Sequence, residues 1–153
     1  MKVLDLLINT PLFEIVYERR KAIEIVNSRS RNIVLHLLKI FAISGNKDRN
    51  HWMSEIDSWL GDINDIFLKP KRKRPSKQDL YNWLLIENVP DYNAEFAKRN
   101  IAIWKNNSYN SYQFNDIDVE FVMNKLVSIL EKVVEDINNT NFFGIQDYLE
   151  GAK

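Results

Sequence analysis

Hydrophobic residues recur at intervals of three and four along most of this chain, which is the spacing of one buried face of an α-helix. The clearest run begins at Trp52 and continues through Ile56, Trp59, Ile63 and Ile66. No alternation of apolar and polar residues extends far enough to indicate a strand. The pattern therefore predicts an all-α fold, a single-domain helical bundle of five to six helices. Their expected ranges are 11–27, 29–44, 51–68, 77–87, 91–106 and 116–137.

Polar residues at the ends of these segments indicate where helices begin. Asn50 and Asn115 precede the third and the last helix, and an asparagine there can accept a hydrogen bond from a backbone N–H of the first turn. Ser76, followed three residues later by Asp79, resembles a capping box. These three positions are expected to cap their helices.

The junction between the first two helices has two interpretations. Thr10 followed by Pro11 is typical of a helix start, because proline suits the first helical position. Ser28 and Ser30 then either end that helix or lie inside one continuous rod. The pattern leaves both arrangements open.

The composition is that of one globular domain covering residues 1–153. Of 153 residues, 45% are hydrophobic and 27% charged, and only 4 Gly and 4 Pro are present to interrupt helices. The absence of cysteine excludes thiol nucleophiles, disulfides, iron–sulfur clusters and Cys-ligated zinc. The N-terminus does not resemble a signal peptide, and no apolar run is long enough to span a bilayer. We therefore expect a cytoplasmic protein with no membrane partner, no metal and no cofactor.

Charge is distributed unevenly along the chain, although the net charge is zero. Residues 1–77 contain 15 Lys and Arg against 9 Asp and Glu, whereas residues 78–153 contain 6 against 12. Such a split concerns association rather than fold. The basic excess is densest in residues 69–76, which are expected to form a linker between two helical hairpins. Its cations, Lys69, Lys71, Arg72, Lys73 and Arg74, could bind the phosphate backbone of a nucleic acid.

The acidic excess is densest in the last long helix. Six carboxylates there are the expected partner-binding residues: Asp116, Asp118, Glu120, Glu131, Glu135 and Asp136. An acidic helix can mask a basic protein surface, as in immunity proteins, antitoxins and phage-borne inhibitors. The leading hypothesis is thus a non-enzymatic protein that binds another protein, with a homodimer left open. Residues 138–153, with Phe142 and Phe143, are expected to form a loosely held tail.

Two blocks of the sequence resemble a family of bacterial helical proteins. RNIVLHLLK at 31–39 is followed, after a short polar loop, by HWMSEI at 51–56, and a weaker echo is AKRNIA at 97–102 followed by YQFNDIDVEFVMNKL. This arrangement over residues 28–137 is similar to domain-of-unknown-function family twenty-nine. The aromatic-acidic opening and the proline-rich turn of that family are missing. The resemblance implies an all-helical fold and no activity.

A second resemblance supplies the alternative hypothesis, a metal-independent ribonuclease. Arg31 and Asn32 followed by His36 are similar to the Arg-Asn-x-x-x-His motif of the HEPN ribonucleases. The resemblance implies that the histidine acts as an acid or base and the arginine holds the scissile phosphate. Arg31 and His36 are about 140° apart around a helix, so a site built across a dimer would be required. Ordinary helix surface is the competing interpretation, since Arg-Asn also occurs at 49 and 99.

Overall fold

A computed structural model describes residues 11–45, 48–88, 94–107, 112–138 and 144–151 of the chain. Within these ranges the regular secondary structure is helical, apart from one isolated antiparallel bridge between Ile43 and Phe114. The predicted all-α fold is confirmed. The helices are α1 Pro11–Ala42, α2 Arg49–Phe67, α3 Lys77–Tyr81, α4 Ala94–Asn106, α5 Val119–Asp136 and α6 Ile145–Gly151. A 3₁₀ turn, Lys71–Lys73, precedes α3, and a π-helical segment, Asn82–Glu87, extends it.

Helices α1 and α2 form an antiparallel pair, which is the most extensive helix contact in the described structure. Arg29 faces Asp62 and His36 faces Glu55, so an advance of seven residues along α1 corresponds to a return of seven along α2. The N-terminal part of α1 extends beyond this pair, where Val16 and Tyr17 are exposed. Arg19, in this N-terminal extension, lines a charged cleft.

The core lies where α3, α5 and α6 pack against the α1–α2 pair. Its largest fully buried side chains are Phe67, Ile33, Leu37, Leu38, Ile56, Leu60, Ile63, Leu80, Leu84, Leu85, Met123 and Leu126. In the predicted stripe of α2, Trp52, Ile56, Ile63 and Ile66 are buried and Trp59 is half-buried against the core. The periodicity therefore identified the correct face of this helix.

The first two predicted helices are one. Helix α1 continues through Ser28 and Ser30, so of the two arrangements that the sequence leaves open the continuous rod is present, and no boundary separates 11–27 from 29–44. Ser30 is buried, and its hydroxyl donates a hydrogen bond of 2.7 Å to the carbonyl of Val26 one turn earlier. Because the helix itself satisfies this hydroxyl, the serine needs no break in the backbone.

The start of α2 differs from the prediction. The helix begins at Arg49, and the residue before it is Asp48 rather than Asn50. The Asp48 side chain does not cap α2 but accepts a 2.7 Å hydrogen bond from the Tyr112 hydroxyl. Asn50 lies in the first turn with its side chain exposed. A contact distant in sequence thus replaces the expected local cap.

The start of α5 also differs. Asp118 caps this helix by accepting hydrogen bonds from the backbone N–H groups of Glu120 and Phe121 at 3.1 and 3.3 Å. Asn115 instead donates through its backbone N–H to Ala42 and through its side chain to the carbonyl of Phe41. Asn115 therefore satisfies two carbonyls at the C-terminus of α1, where the last carbonyls of a helix have no partner within the helix.

The capping box at α3 is confirmed. The Ser76 hydroxyl accepts from the Asp79 N–H, and the Asp79 carboxylate accepts from the Ser76 N–H, both at 3.0 Å. Helix α4 is described from Ala94 onward. The predicted start of this helix, at 91–93, lies outside the described residues.

The expected loose tail is wrong for residues 145–151. These form α6, which buries Ile145, Tyr148 and Leu149 in the core. The Ile145 N–H donates to the Asp57 carboxylate at 2.7 Å, and the Tyr148 hydroxyl donates to Asp136 at 2.9 Å. Three buried side chains at helical spacing hold this segment to the bundle. Phe142 and Phe143 lie outside the described residues.

In the described part of the chain, no helix combines the length and apolar character needed to cross a membrane.

Candidate functional site

The basic segment predicted as a linker is held against α1. Residues Lys71–Lys73 form a 3₁₀ turn, here called the basic turn, closed by a 2.8 Å hydrogen bond from the Lys73 N–H to the Pro70 carbonyl. The Lys73 ammonium lies 3.3 Å from the carboxylate of Glu18 on α1. This ion pair places the turn beside the exposed N-terminal part of α1.

A cleft of about 520 Å³ opens between the basic turn, α1 and the ends of α2 and α5. We call it the basic cleft. Its lining residues are Arg19, Phe67, Lys71, Arg72, Arg74, Pro75, Ser76, Lys77 and Asn138. Five of these nine carry a positive charge and none carries a negative charge. The carboxylate of Glu18 lies beside the cleft, where it pairs with Lys73.

Two contacts fix the cationic side chains of the basic cleft. The Arg74 guanidinium stands over the ring of Phe67, 5.7 Å from its centroid. The Lys77 ammonium donates a 3.2 Å hydrogen bond to the carbonyl of Glu135, in the last turn of α5. The C-terminal ends of helices carry partial negative charge, so Lys77 is also stabilised there. Lys71 and Arg72 have exposed side chains.

Sequence reasoning found three of these cations and missed two members of the site. Arg19 comes from α1, about fifty positions before the basic turn, and nothing in the local sequence connects the two. Lys77 comes directly after the predicted linker, and only its position at the cleft shows that it belongs to the site. Lys69 and Lys73, which were predicted, do not line the cleft. Lys69 is exposed beside it, and Lys73 pairs with Glu18.

A second cleft, of about 690 Å³, lies between α1 and the end of the π-helical segment. We call it the amide cleft because three of its residues are asparagines. It is lined by Glu24, Asn27, Ser28, Arg31, Asn32, Leu35 and Asn88. Two of the three residues of the ribonuclease-like motif, Arg31 and Asn32, are therefore found here.

His36, the third residue of that motif, contacts α2 and does not line the amide cleft. Its Nε2 lies 3.2 Å from Glu55, and its ring meets that of Trp59 edge-on, with centroids 4.7 Å apart. Burial lowers the pKa of His36, and the nearby Lys39 ammonium lowers it further, while Glu55 opposes both. Nδ1 is buried without a hydrogen-bond partner in the described structure. Within one chain, Arg31 and Asn32 therefore line the amide cleft while His36 packs against α2. A catalytic site shared by two chains stays a prediction.

Glu55 contacts both histidines of the chain. One carboxylate oxygen faces His36 and the other faces His51, which lies one turn earlier on α2. Among the described residues, no group of three or more His, Cys, Asp or Glu side chains is arranged to hold a metal ion. The cluster links α1 to α2.

The six predicted acidic residues do not form one surface. Asp118 is occupied as the cap of α5, and Asp136 accepts the Tyr148 hydroxyl. Asp116 is exposed next to Lys98 and Lys105 in a small cleft of about 270 Å³. The remaining three, Glu120, Glu131 and Glu135, have exposed side chains within about 60° of one another around α5. These three glutamates are called the acidic stripe.

No family model, curated protein or solved structure matches this chain. The resemblances to domain-of-unknown-function family twenty-nine and to the HEPN ribonucleases therefore stay predictions.

Proposed function

We propose that this protein is a non-enzymatic nucleic-acid-binding domain that holds the phosphate backbone in the basic cleft. The observation that supports the proposal is the described lining of this cleft, in which one cation from α1 and four from residues 71–77 meet and none of the described lining residues is a carboxylate. Lysine and arginine bind phosphate through charge, and arginine adds paired hydrogen bonds. Neutralisation of phosphates releases bound counterions, which favours association.

The concave shape of the site supports a backbone ligand over a merely solvated surface. Arg19 and the basic turn stand on different chain segments, yet they border the same space. Phe67 and Pro75 provide a floor that is largely apolar, so the cations are set around the cleft rather than spread over a flat face. Interaction between charges is stronger where low-dielectric walls surround the site.

The test compares two lysines by anisotropy titration of labelled single-stranded and duplex oligonucleotides at several salt concentrations. Lys71 lines the basic cleft, whereas Lys98 is exposed on α4 and pairs with Glu95. Lys71→Gln and Lys98→Gln remove the same charge from the same residue type. If Lys71 contacts one phosphate, its variant lowers the slope of log affinity against log salt by about 0.7 for a single strand or about 0.9 for a duplex.

The matched control makes the outcome decisive. We expect Lys98→Gln to retain the slope of the unchanged protein, with both variants showing the same helical circular dichroism. Equal losses in the two variants would indicate a general charge effect and overturn the proposal. Failure of the unchanged protein to bind either oligonucleotide at low salt would overturn it directly.

A second candidate function is binding of a basic protein surface by the acidic stripe. The specific observation in its favour is that Glu120, Glu131 and Glu135 share one exposed face and form no ion pair within the described residues. This arrangement suits an immunity protein, an antitoxin or an inhibitor. The test is affinity capture with the triple Glu→Gln variant beside Lys71→Gln. A stoichiometric protein that is lost only with the triple variant supports this function. A protein that the triple variant still captures contradicts this function.

A further inference from the structure

The amide cleft differs from the basic cleft in chemistry as well as in position. The two charged residues in its described lining, Glu24 and Arg31, have opposite signs, so their charges offset each other. Three carboxamides dominate the remaining lining, from Asn27, Asn32 and Asn88. Each carboxamide carries both a hydrogen-bond acceptor and donors. The cleft therefore suits a neutral group with alternating donors and acceptors rather than a phosphate.

The π-helical segment brings Asn88 to this position. The backbone N–H of Asn88 donates to the carbonyl of Trp83 at 3.2 Å, a link across five residues, and the Asn88 side-chain amide donates to the same carbonyl. Both donations hold the end of the segment beside α1. The side-chain oxygen of Asn88 does not take part in these two donations. Wide helical turns of this kind occur often at functional sites.

The opposite wall belongs to α1 and carries complementary groups. Arg31 has an exposed side chain and no ion pair among the described residues, so its guanidinium is available to a ligand. Asn32 and Leu35 are half-buried in the same wall. The edges of nucleobases present adjacent donors and acceptors that asparagine and arginine bind in pairs. The side chain of Leu35 offers an apolar surface against which the flat face of a base can pack.

Cations extend from the basic cleft toward the amide cleft along α1. Arg20 and Lys21 are exposed on the helix directly after Arg19, which lines the basic cleft. Lys21 is about 10 Å along the helix axis from Ser28, which borders the amide cleft, at a rise of 1.5 Å per residue. A strand that crosses the N-terminal part of α1 would thus meet Arg20 and Lys21, and then Glu24 at the edge of the amide cleft, before it reaches the carboxamides.

We propose that the amide cleft binds an unpaired nucleobase of the strand whose phosphates occupy the basic cleft. This inference rests on the proposed function but assigns a different role to different residues. Phosphate contacts determine affinity and its salt dependence, whereas base contacts determine sequence preference. The two clefts are therefore separable by measurement.

The experiment titrates labelled single-stranded 12-mers of dA, dC and dT by fluorescence anisotropy at two salt concentrations. We expect the unchanged protein to prefer one base. Asn32→Ala and Asn88→Ala should reduce affinity for the preferred 12-mer by roughly five-fold or more. The affinity for this 12-mer should then be close to the affinities for the other two. The salt slope should stay the same, because no phosphate contact is removed. Arg31→Gln provides a third variant, since this side chain is exposed and forms no ion pair among the described residues.

Asn124→Ala is the matched control, because Asn124 is exposed on α5 away from both clefts. It should retain both the preference and the slope. If the unchanged protein binds the three 12-mers equally with a salt slope that depends on Lys71, the base-binding inference is wrong and the proposed function stands. Retained preference in the Asn32, Asn88 and Arg31 variants would likewise overturn the base-binding inference alone. If no 12-mer binds at low salt, both proposals fail.

Discussion

His36 and Glu55 join α1 to α2 through a 3.2 Å contact between the imidazole Nε2 and a carboxylate oxygen. The imidazole is half-buried, its other nitrogen has no partner among the described residues, and Trp59 meets its ring edge-on. Neutral imidazole with its proton on Nε2 satisfies this arrangement by donation to Glu55. A second proton would have to enter at the buried Nδ1, where burial and the Lys39 ammonium oppose the charge and Glu55 and the Asn32 backbone favour it, so the contact is sensitive to pH.

The first prediction concerns stability at mildly acidic pH. Burial and the Lys39 ammonium hold the pKa of His36 below the 6.5 of a free histidine. Between that lowered pKa and 6.5 the unfolded chain binds more protons than the folded chain, so stability rises with pH in this window. The full contribution of His36 is therefore present above pH 6.5 and is lost as the pH falls below it. Urea unfolding at a series of pH values measures this decline.

The matched variant for this prediction is His36→Gln. Glutamine can still donate to Glu55 but does not titrate, so the decline below pH 6.5 should become shallower. His36→Gln should also be less stable than the unchanged protein at pH 7.5, because its side chain packs less well on Trp59. An unchanged slope of unfolding free energy against pH would show that His36 does not control this titration.

Local patterns predicted the helices well because helix formation depends on residues three and four positions apart. The stripe through Ile56 and Ile63 and the capping box at Ser76 are local signals, and both are present in the structure. Errors occurred where a distant contact replaced a local one. Asn115 resembles a helix cap, yet it hydrogen-bonds the end of α1 more than seventy residues earlier.

The sites were less predictable than the fold for the same reason. The basic segment is visible in the sequence, but the cleft requires Arg19, which only the packing of the basic turn against α1 brings near. Conversely, Arg31, Asn32 and His36 look like one motif in the sequence. Helix geometry turns His36 toward α2 and places Arg31 in the amide cleft. Spacing predicts which residues share a face but not what lies opposite that face.

The second prediction concerns Glu18, the acidic partner of the basic turn. Its pair with Lys73 is partly exposed, so Glu18→Gln should cost less than about 1 kcal/mol of folding stability. The same change removes a negative charge beside the basic cleft and releases the Lys73 ammonium. We expect tighter oligonucleotide binding and a salt slope steeper by up to about 0.7 for a single strand. Glu95→Gln, next to Lys98 on α4, is the control and should leave the slope unchanged. Weaker binding by Glu18→Gln would contradict the proposed role of the cleft.

The third prediction tests whether α6 belongs to the folded bundle. Ile145 is fully buried, so Ile145→Ala should lower the free energy of unfolding by about 2 to 4 kcal/mol. Gln146→Ala is its control, because the neighbouring side chain is exposed and should change stability by less than about 0.5 kcal/mol. Chemical denaturation measures both. Similar small effects in the two variants would support the loose tail that the sequence suggested.

The fourth prediction compares one substitution at opposite ends of two helices. Asn115 donates to the carbonyl of Phe41 at 3.0 Å, at the C-terminal end of α1, where partial negative charge collects. Asn115→Asp replaces this donor by a negative charge and should destabilise the protein by about 1 to 2 kcal/mol, more than Asn115→Ala. Asn50 is exposed in the first turn of α2, where the helix carries partial positive charge, so Asn50→Asp should be neutral or slightly stabilising. Thermal unfolding at low and high salt ranks the three variants. If both aspartates shift the midpoint in the same direction, the contact between Asn115 and α1 does not determine the effect.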